Sequence, residues 1–175
     1  MNPTWCIATG RMMLRPVWGG DLADLQALKA DPRVFAVMLG GVRTPVQTAE
    51  ELAADVALWG RRGVGMWSAH LRSDDRFVGT AGILERPDGR GMALRFAFRP
   101  EWRGQGLASE AAAAALRFGH ERAALSRIIA VAREDNVASR ILLGAIGMTE
   151  CERFRRADVA MLTYESRRGA AAQPG

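Results

Sequence analysis

The eight residues Trp-Arg-Gly-Gln-Gly-Leu-Ala-Ser at 102–109 constrain the fold more than any other stretch of this sequence. An apolar run typical of a strand, 91–99, precedes them, and an alanine-rich run typical of a helix follows over 109–121. The first turn of a helix leaves several backbone N–H groups without partners, and the helix dipole is positive there. Gly104 and Gly106 lack a Cβ and let a ligand approach the backbone closely. The stretch therefore predicts an anion site, suited to phosphate, between a strand and a helix.

The spacing of the glycines narrows the class of site. It fits neither the dinucleotide pattern G-x-G-x-x-G nor the Walker pattern with its Gly-Lys-Ser/Thr. It reads Arg-x-x-Gly-x-Ala, from Arg103 through Gly106 to Ala108, and Arg103 adds a mobile positive charge at the rim. Arginine, glycine and alanine are abundant in this chain, so the pattern alone is equally typical of an ordinary surface turn.

The net charge of +5 and the isoelectric point near 10.4 favour anionic partners. A phosphorylated small ligand satisfies that charge as well as a nucleic acid does. The basic residues are spread along the chain in place of the dense stripe that nucleic-acid binders usually show. We therefore expect no nucleic-acid partner.

Composition also bounds the compartment and the cofactor class. No apolar run approaches the ~20 residues needed to cross a membrane, and the N-terminus lacks a continuous apolar signal core. Cys6 and Cys151 lie far apart without metal-ligand spacing, which is typical of free thiols in a reducing cytosol. We expect a cytoplasmic protein with no membrane partner and no metal.

Hydrophobic periodicity and breakers predict an alternation of strands and helices. Thr48 and Glu51 match a capping box, which predicts a helix that starts at Thr48 and runs to Trp59. The other predicted strands are 11–17, 65–72, 76–85, 91–99, 126–133, 147–154 and 159–166, and the other predicted helices are 21–30, 34–39, 109–122 and 136–146.

This order predicts an α/β fold, a mixed sheet with helices on both faces. Strands joined through one long helix are usually parallel neighbours, so 91–99 and 126–133 should run side by side. The glycine loop then lies at the C-terminal end of the first, where open α/β sheets bind ligands. We expect one domain over 1–166 and a disordered tail over 167–175.

A second motif accompanies the loop. Asn136-Val-Ala-Ser139 follows the 126–133 strand. Together with the Arg-x-x-Gly-x-Ala loop and the element order over 11–166, it resembles the GNAT superfamily of N-acetyltransferases, whose sheet is mixed and mostly antiparallel. The segments Asp31-Pro-Arg-Val34, Trp67 and Phe77-Val-Gly79 resemble the branch that contains the ribosomal-protein (Rim-type) N-acetyltransferases.

The resemblance implies roles for particular residues. Backbone groups of the strand before the loop would pair with the pantetheine arm of acetyl-coenzyme A, backbone N–H groups of the loop would hold its pyrophosphate, and the Asn-x-x-Ser segment would lie near its thiol. The cofactor-binding residues implied in this way are Phe96, Ala97, Phe98, Arg103, Gly104, Gln105, Gly106, Leu107, Ala108, Ser109, Asn136 and Ser139.

The implied reaction is direct transfer of an acetyl group to a primary amine, on a protein N-terminus or on a small molecule. Many relatives carry a glutamate on the strand before the loop, but Ala93 occupies that place here. The alternative candidates for catalysis are Glu85 as base and Ser139 or Tyr164 as acid; a solvated charge, a helix cap and a packed aromatic are their competing interpretations. A protein that binds acyl-coenzyme A without catalysis is the alternative function, and the oligomeric state, a homodimer included, stays open.

Overall fold

The computed structural model describes residues 2–169. Its eight strands are Ile7–Ala8 (β1), Met12–Pro16 (β2), Met66–Leu71 (β3), Phe77–Glu85 (β4), Met92–Phe98 (β5), Arg127–Arg133 (β6), Thr149–Arg156 (β7) and Val159–Arg167 (β8). Its five α-helices are Leu22–Ala30 (α1), Pro32–Phe35 (α2), Pro45–Arg62 (α3), Leu107–Glu121 (α4) and Val137–Ala145 (α5).

The strands form one mixed sheet in the order β1-β2-β3-β4-β5-β6-β8-β7. All neighbouring pairs are antiparallel except β5 and β6, which the α4 crossover makes parallel as predicted. This confirms the predicted α/β fold with a mixed, mostly antiparallel sheet. Arg167, predicted as the start of a disordered tail, is instead the last residue of β8 and pairs with Arg127; residues 170–175 lie outside the described part of the chain.

Helices cover both faces of the sheet, so the protein has two apolar cores. One core lies under α4 and contains the fully buried Trp67 and the small side chains Ala111 and Ala115, which let the helix approach the sheet closely. The second core lies under α1 and α2 and contains Leu28 and Phe35. The side chains of β5 alternate between the two cores, because successive residues of a strand face opposite sides of the sheet.

Three predicted helix starts were wrong by two or three residues. The helix predicted over 34–39 is α2, which covers Pro32–Phe35 because Asp31 caps it by accepting a hydrogen bond from Arg33 N. Helix α3 begins at Pro45, because Thr44 accepts a hydrogen bond from the N–H of Gln47 and that glutamine reaches back to close the capping box. Thr48, the predicted cap, is buried in the first turn and donates its hydroxyl to Thr44 O. Helix α4 begins at Leu107 in place of Ser109, because Leu107 is already buried in the core.

Candidate active site: a glycine loop beside a split in the sheet

The glycine loop connects a short 3-10 turn, Pro100–Trp102, to helix α4. Gly104 and Gly106 have φ angles of 73° and 75°, a region that side chains with a Cβ rarely adopt. Apart from its two chain neighbours, no described residue has a heavy atom within 4 Å of where a Cβ on Gly104 would stand. The loop is exposed from Arg103 to Gly106, so a ligand can reach its backbone directly.

The backbone N–H groups of residues 104–109 have no hydrogen-bond acceptor among residues 2–169. The first helical hydrogen bond of α4 runs from Glu110 N to Gly106 O, at 3.0 Å. These free amides stand at the positive end of a 15-residue helix, which is the arrangement that binds phosphate and other anions.

Two residues that sequence reasoning missed fasten this loop to the sheet. The backbone N–H and Nε of Arg11 each donate a 2.8 Å hydrogen bond to the carboxylate of Glu110, and Arg11 Nη1 donates to Gln105 O at 2.7 Å. Burial raises the pKa of Glu110, but hydrogen bonds from Thr9 and Arg11 outweigh it and hold that pKa below its ordinary value. Arg11 and Glu110 are 99 positions apart in the sequence, which leaves no local sequence signal for the contact.

The side chains of the loop point away from its free amides. Arg103 donates to the backbone oxygen of Arg33 on α2, and Gln105 Nε2 donates to Glu101 O at 3.3 Å. Backbone groups therefore dominate the inner surface of the loop.

A cleft opens where β5 and β6 separate. The two strands pair with each other only at Ala93 and Ile129. On their other sides they are paired along their length, β5 with β4 and β6 with β8. The cleft holds about 730 Å³ of empty space, its open mouth included. Its lining residues are Val37, Met38, Leu39, Leu84, Arg86, Ala93, Leu94, Arg95, Phe96, Ala130, Val131, Ala132, Arg133, Asn136, Ser139, Leu143 and Met161.

The backbone of β5 presents free polar groups to this cleft. Arg99 N donates to Val78 O, so Arg99 faces β4, and the alternation of an antiparallel pair turns Ala97 and Arg95 the same way. Phe96 and Phe98 consequently direct their N–H and C=O groups towards the opening. Ala97, the third residue predicted to pair with a pantetheine arm, instead directs its backbone groups to β4.

The Asn136 side chain caps helix α5 by accepting a 3.2 Å hydrogen bond from Ser139 N. Ser139 is therefore not the cap, which removes the competing interpretation of its hydroxyl. Both residues line the cleft, and the Ser139 hydroxyl makes no hydrogen bond with residues 2–169. The structure thus brings the Asn-x-x-Ser segment and the open edge of β5 to one cavity.

Two of the predicted catalytic residues lie elsewhere. Glu85 is half exposed at the end of β4 and approaches Arg62 at 3.4 Å. Tyr164 is buried in the core beneath α4, where its hydroxyl accepts a 3.4 Å hydrogen bond from Arg140. Neither lines the cleft, because strand parity directs both side chains away from it.

The cleft itself carries positive charge and no carboxylate. Its charged lining residues are Arg86, Arg95 and Arg133, of which Arg86 pairs with Asp88 and Arg133 with Asp135. The hydrogen bond from Arg86 lowers the pKa of Asp88 to about 2. Ala93, at the position where many members of the resembled family carry a glutamate, lines the cleft, so the cleft has no carboxylate at this position.

Among residues 2–169, no three His, Cys, Asp or Glu side chains come together as a metal site would require. Within the same range, none of the helices combines the length and the apolar character of a membrane span.

Comparison with known proteins places these features in context. Residues 11–149 match the family described as Acetyltransferase (GNAT) domain. The uncharacterized N-acetyltransferase YnaD of Bacillus subtilis is 27% identical over 142 residues, which cover 81% of each chain. An acetyltransferase structure from Agrobacterium tumefaciens superimposes with a TM-score of 0.82 at 25% identity, covering 93% of this chain and 94% of that one.

The fold also matches RimL, a ribosomal L7/L12 α-N-protein acetyltransferase solved in complex with coenzyme A. The TM-score is 0.78 at 17% identity, and the match covers 95% of this chain and 99% of RimL. At an identity this low, the match shows a shared fold only.

Proposed function

The chain belongs to the GNAT acetyltransferase family, and from this premise we propose that it transfers an acetyl group from acetyl-coenzyme A to a primary amine. The observation that carries the proposal is the set of free amides at 104–109, which stands at the end of the strand whose open edge lines the cleft. A diphosphate joined to a long acyl-bearing arm fits those two features together.

In the proposed complex, backbone N–H groups of the loop hold the pyrophosphate, and Arg103 supplies a positive charge at its rim. The residues that form this cradle are Arg103, Gly104, Gln105, Gly106, Leu107, Ala108 and Ser109. The pantetheine arm pairs with Phe96 and Phe98 as an added strand, because their backbone groups face the opening. The thioester then lies in the cleft near Asn136 and Ser139.

The chemistry follows from that placement. The amine nitrogen attacks the acetyl carbon, and an N–H of the open edge, at Phe96, stabilises the oxyanion as a preorganised dipole. The thiolate leaves with a pKa resembling that of cysteine, ~8.5, and the unpaired hydroxyl of Ser139 is placed to donate a proton to it. We assign the acid to Ser139 over Tyr164, since only Ser139 lines the cleft.

The acceptor class is proposed as a primary amine of a protein N-terminus or a small molecule. The names of two similar proteins, an N-acetyltransferase and an α-N-protein acetyltransferase, support nitrogen as the acceptor. We place the reaction in the cytoplasm, where the free thiols Cys6 and Cys151 are stable.

Isothermal titration with acetyl-coenzyme A tests the cofactor site. Gly106→Val introduces a Cβ at a positive φ inside the cradle, and Gly89→Val introduces the same strain, at φ 73°, in the exposed turn between β4 and β5. We expect the wild type and Gly89→Val to bind alike, and Gly106→Val to bind at least tenfold more weakly. Equal affinity in both variants would show that the loop assignment is wrong.

A second candidate function is an acyl-coenzyme A-binding module without catalysis. The absence of a carboxylate among the cleft's lining residues favours it. Release of free thiol in the presence of alaninamide, a seryl peptide and butylamine separates the two functions. Binding of acetyl-coenzyme A without thiol release above the hydrolysis rate for every amine supports the module.

A further inference from the structure

A second cavity adjoins the cleft on the face covered by α1 and α3. It holds about 310 Å³ of empty space, its open mouth included. Its lining residues are Val17, Leu25, Lys29, Phe35, Asp55, Met66, Thr80 and Arg95. Arg95 lines both cavities, so the two lie on either side of this residue of β5. The second cavity therefore lies next to the split in the sheet, on the face opposite α4.

Asp55, on α3, is the single carboxylate that lines this cavity. It is partly buried, and it makes no hydrogen bond or ion pair with any of residues 2–169. Leaving a partly buried carboxylate without a partner is costly, and proteins usually pair such groups. Burial raises the pKa of Asp55 to about 6, and the positive charges of Lys29 and Arg95 oppose that rise without cancelling it.

The other charges around Asp55 are already committed or too far away to pair with it. From α1, Lys29 Nζ lies 2.7 Å from a carboxylate oxygen of Glu51. Arg43, in the segment before α3, approaches the other oxygen of Glu51 at 2.5 Å. From β5, Arg95 makes no ion pair with the described residues; β3 and β4 contribute the uncharged Met66 and Thr80. Asp55 thus lines the cavity without a direct ion pair, although the charges of Lys29 and Arg95 act on it from a distance.

We propose that Asp55 receives the ammonium group of the acceptor and takes its proton, which makes the second cavity the entry site for a cationic primary amine. The inference rests on the proposed function, because it needs a thioester in the adjoining cleft. It also provides the carboxylate that Ala93 does not. The apolar walls contributed by Leu25, Phe35 and Met66 suit the carbon chain next to the amine.

The proton balance is complete with these groups. The ammonium gives one proton to the Asp55 carboxylate, and the freed nitrogen lone pair forms the N–C bond to the acetyl carbon. The C–S bond breaks, and its electron pair leaves on sulfur. Ser139 gives its proton to the thiolate and takes up the second proton of the nitrogen, and Asp55 later releases its own proton to water. An amine of lower pKa transfers its proton more readily, so an α-amine, at ~8, suits Asp55 better than an alkylamine, at ~10.

Asp55→Asn tests the proposal, and Glu50→Gln is the matched control because Glu50 is an exposed carboxylate on the same helix. With the best amine among alaninamide, a seryl peptide and butylamine, kcat/KM is measured from pH 5 to pH 9. We expect Glu50→Gln to behave as wild type. Asp55→Asn should lose about 100-fold or more in kcat, which is typical of a removed general base, and should lack the acidic limb near pH 6. Asp55→Glu should recover part of the rate, which a purely structural role would not produce.

Two outcomes separate this inference from the proposed function. If the wild type transfers acetyl and Asp55→Asn keeps its rate and its acidic limb, the role of Asp55 is wrong and acetyl transfer stands. If the wild type does not bind acetyl-coenzyme A, both the role of Asp55 and the proposed acetyl transfer are wrong. A measurement that needs no turnover is the carboxyl ¹³C titration of Asp55: added alaninamide should lower its pKa, because a bound cation favours the carboxylate. An unchanged titration at saturating alaninamide contradicts the proposal.

Discussion

Arg11 holds Glu110 with two hydrogen bonds of 2.8 Å, one from its backbone N–H and one from Nε. The contact joins the residue just before β2 to the first turn of α4 across the glycine loop. A further bond from Arg11 to Gln105 O fixes the loop itself. The free amides are thereby held in one arrangement before any ligand arrives, and a preorganised site loses less entropy on binding.

Glu110→Gln should therefore weaken the binding of acetyl-coenzyme A. We expect KM for acetyl-coenzyme A to rise roughly tenfold while kcat stays within about twofold, since the reacting groups lie in the cleft. The matched control is Glu121→Gln, an exposed carboxylate at the other end of α4. Equal KM values for the two variants would contradict a fastening role for Arg11 and Glu110.

The same pair makes stability depend on pH. The pKa of Glu110 in the folded protein lies below its ordinary 4.5, so the unfolded chain binds more protons as pH falls. Its contribution, about 1 kcal/mol, is complete above the unfolded pKa and is lost as pH falls through the folded one. Urea unfolding at pH 7 and pH 3 should show the gap between wild type and Glu110→Gln closing at the lower pH. A gap that persists at pH 3 would contradict this assignment.

Removal of the Ser139 hydroxyl should slow the chemical step. Asn136, and not Ser139, caps α5, so Ser139→Ala leaves the helix start intact. We expect an unchanged melting temperature and a kcat lower by about 10-fold or more, because the thiolate loses its proton donor. Ser139→Thr retains a hydroxyl and should keep most of the activity. Equal kcat values for the alanine and threonine variants would remove Ser139 from the mechanism.

Glu51 is linked to the wall of the cleft through Arg43. It binds Lys29 and Arg43, and Arg43 in turn donates to the backbone oxygen of Leu39, which lines the cleft. Burial opposes the ionised form of Glu51, but hydrogen bonds from the two cations outweigh it and lower its pKa. Glu51→Gln should cost about 1–3 kcal/mol of stability and raise KM for the amine, whereas Glu50→Gln should do neither. Denaturant titration and steady-state kinetics check both effects.

Asp55→Asn should stabilise the folded protein at neutral pH. The pKa of Asp55 is raised from 3.8 to about 6, so folding disfavours its ionised form. The stability of the wild type therefore falls as pH rises from about 4 to about 6, by about 3 kcal/mol at most, and stays lower above that range. The asparagine variant should melt at a higher temperature than wild type at pH 8 and at nearly the same temperature at pH 4. A variant that melts lower at pH 8 contradicts the burial of an unpaired carboxylate.

Local sequence signals predicted the fold and the glycine loop well. Strand, breaker, glycine turn and helix follow one another at 91–121, so neighbouring residues suffice to place the loop and the parallel crossover. The start of α3 was missed because two threonines four residues apart both match a capping pattern. Only the tertiary structure distinguishes them, by burying Thr48 and exposing Thr44.

The catalytic side chains were harder to predict because contacts between distant segments select them. Glu85 and Tyr164 have suitable chemistry, but their strand parity directs them away from the cleft. Asp55 lies on an amphipathic helix, where a single carboxylate is more often a solvated charge. That it lacks a partner and lines the same cavity as Arg95 follows only from the packing of α3 over the sheet.

Amide ¹H–¹⁵N spectra of the protein titrated with coenzyme A test the central claim most directly. Pantetheine, which carries the thiol arm without the pyrophosphate, is the control ligand. We predict that coenzyme A shifts the amides of residues 104–109 more than any others and that pantetheine leaves them in place while it shifts Phe96 and Phe98. Loop amides that stay in place at saturating coenzyme A, or that respond equally to pantetheine, would contradict the account.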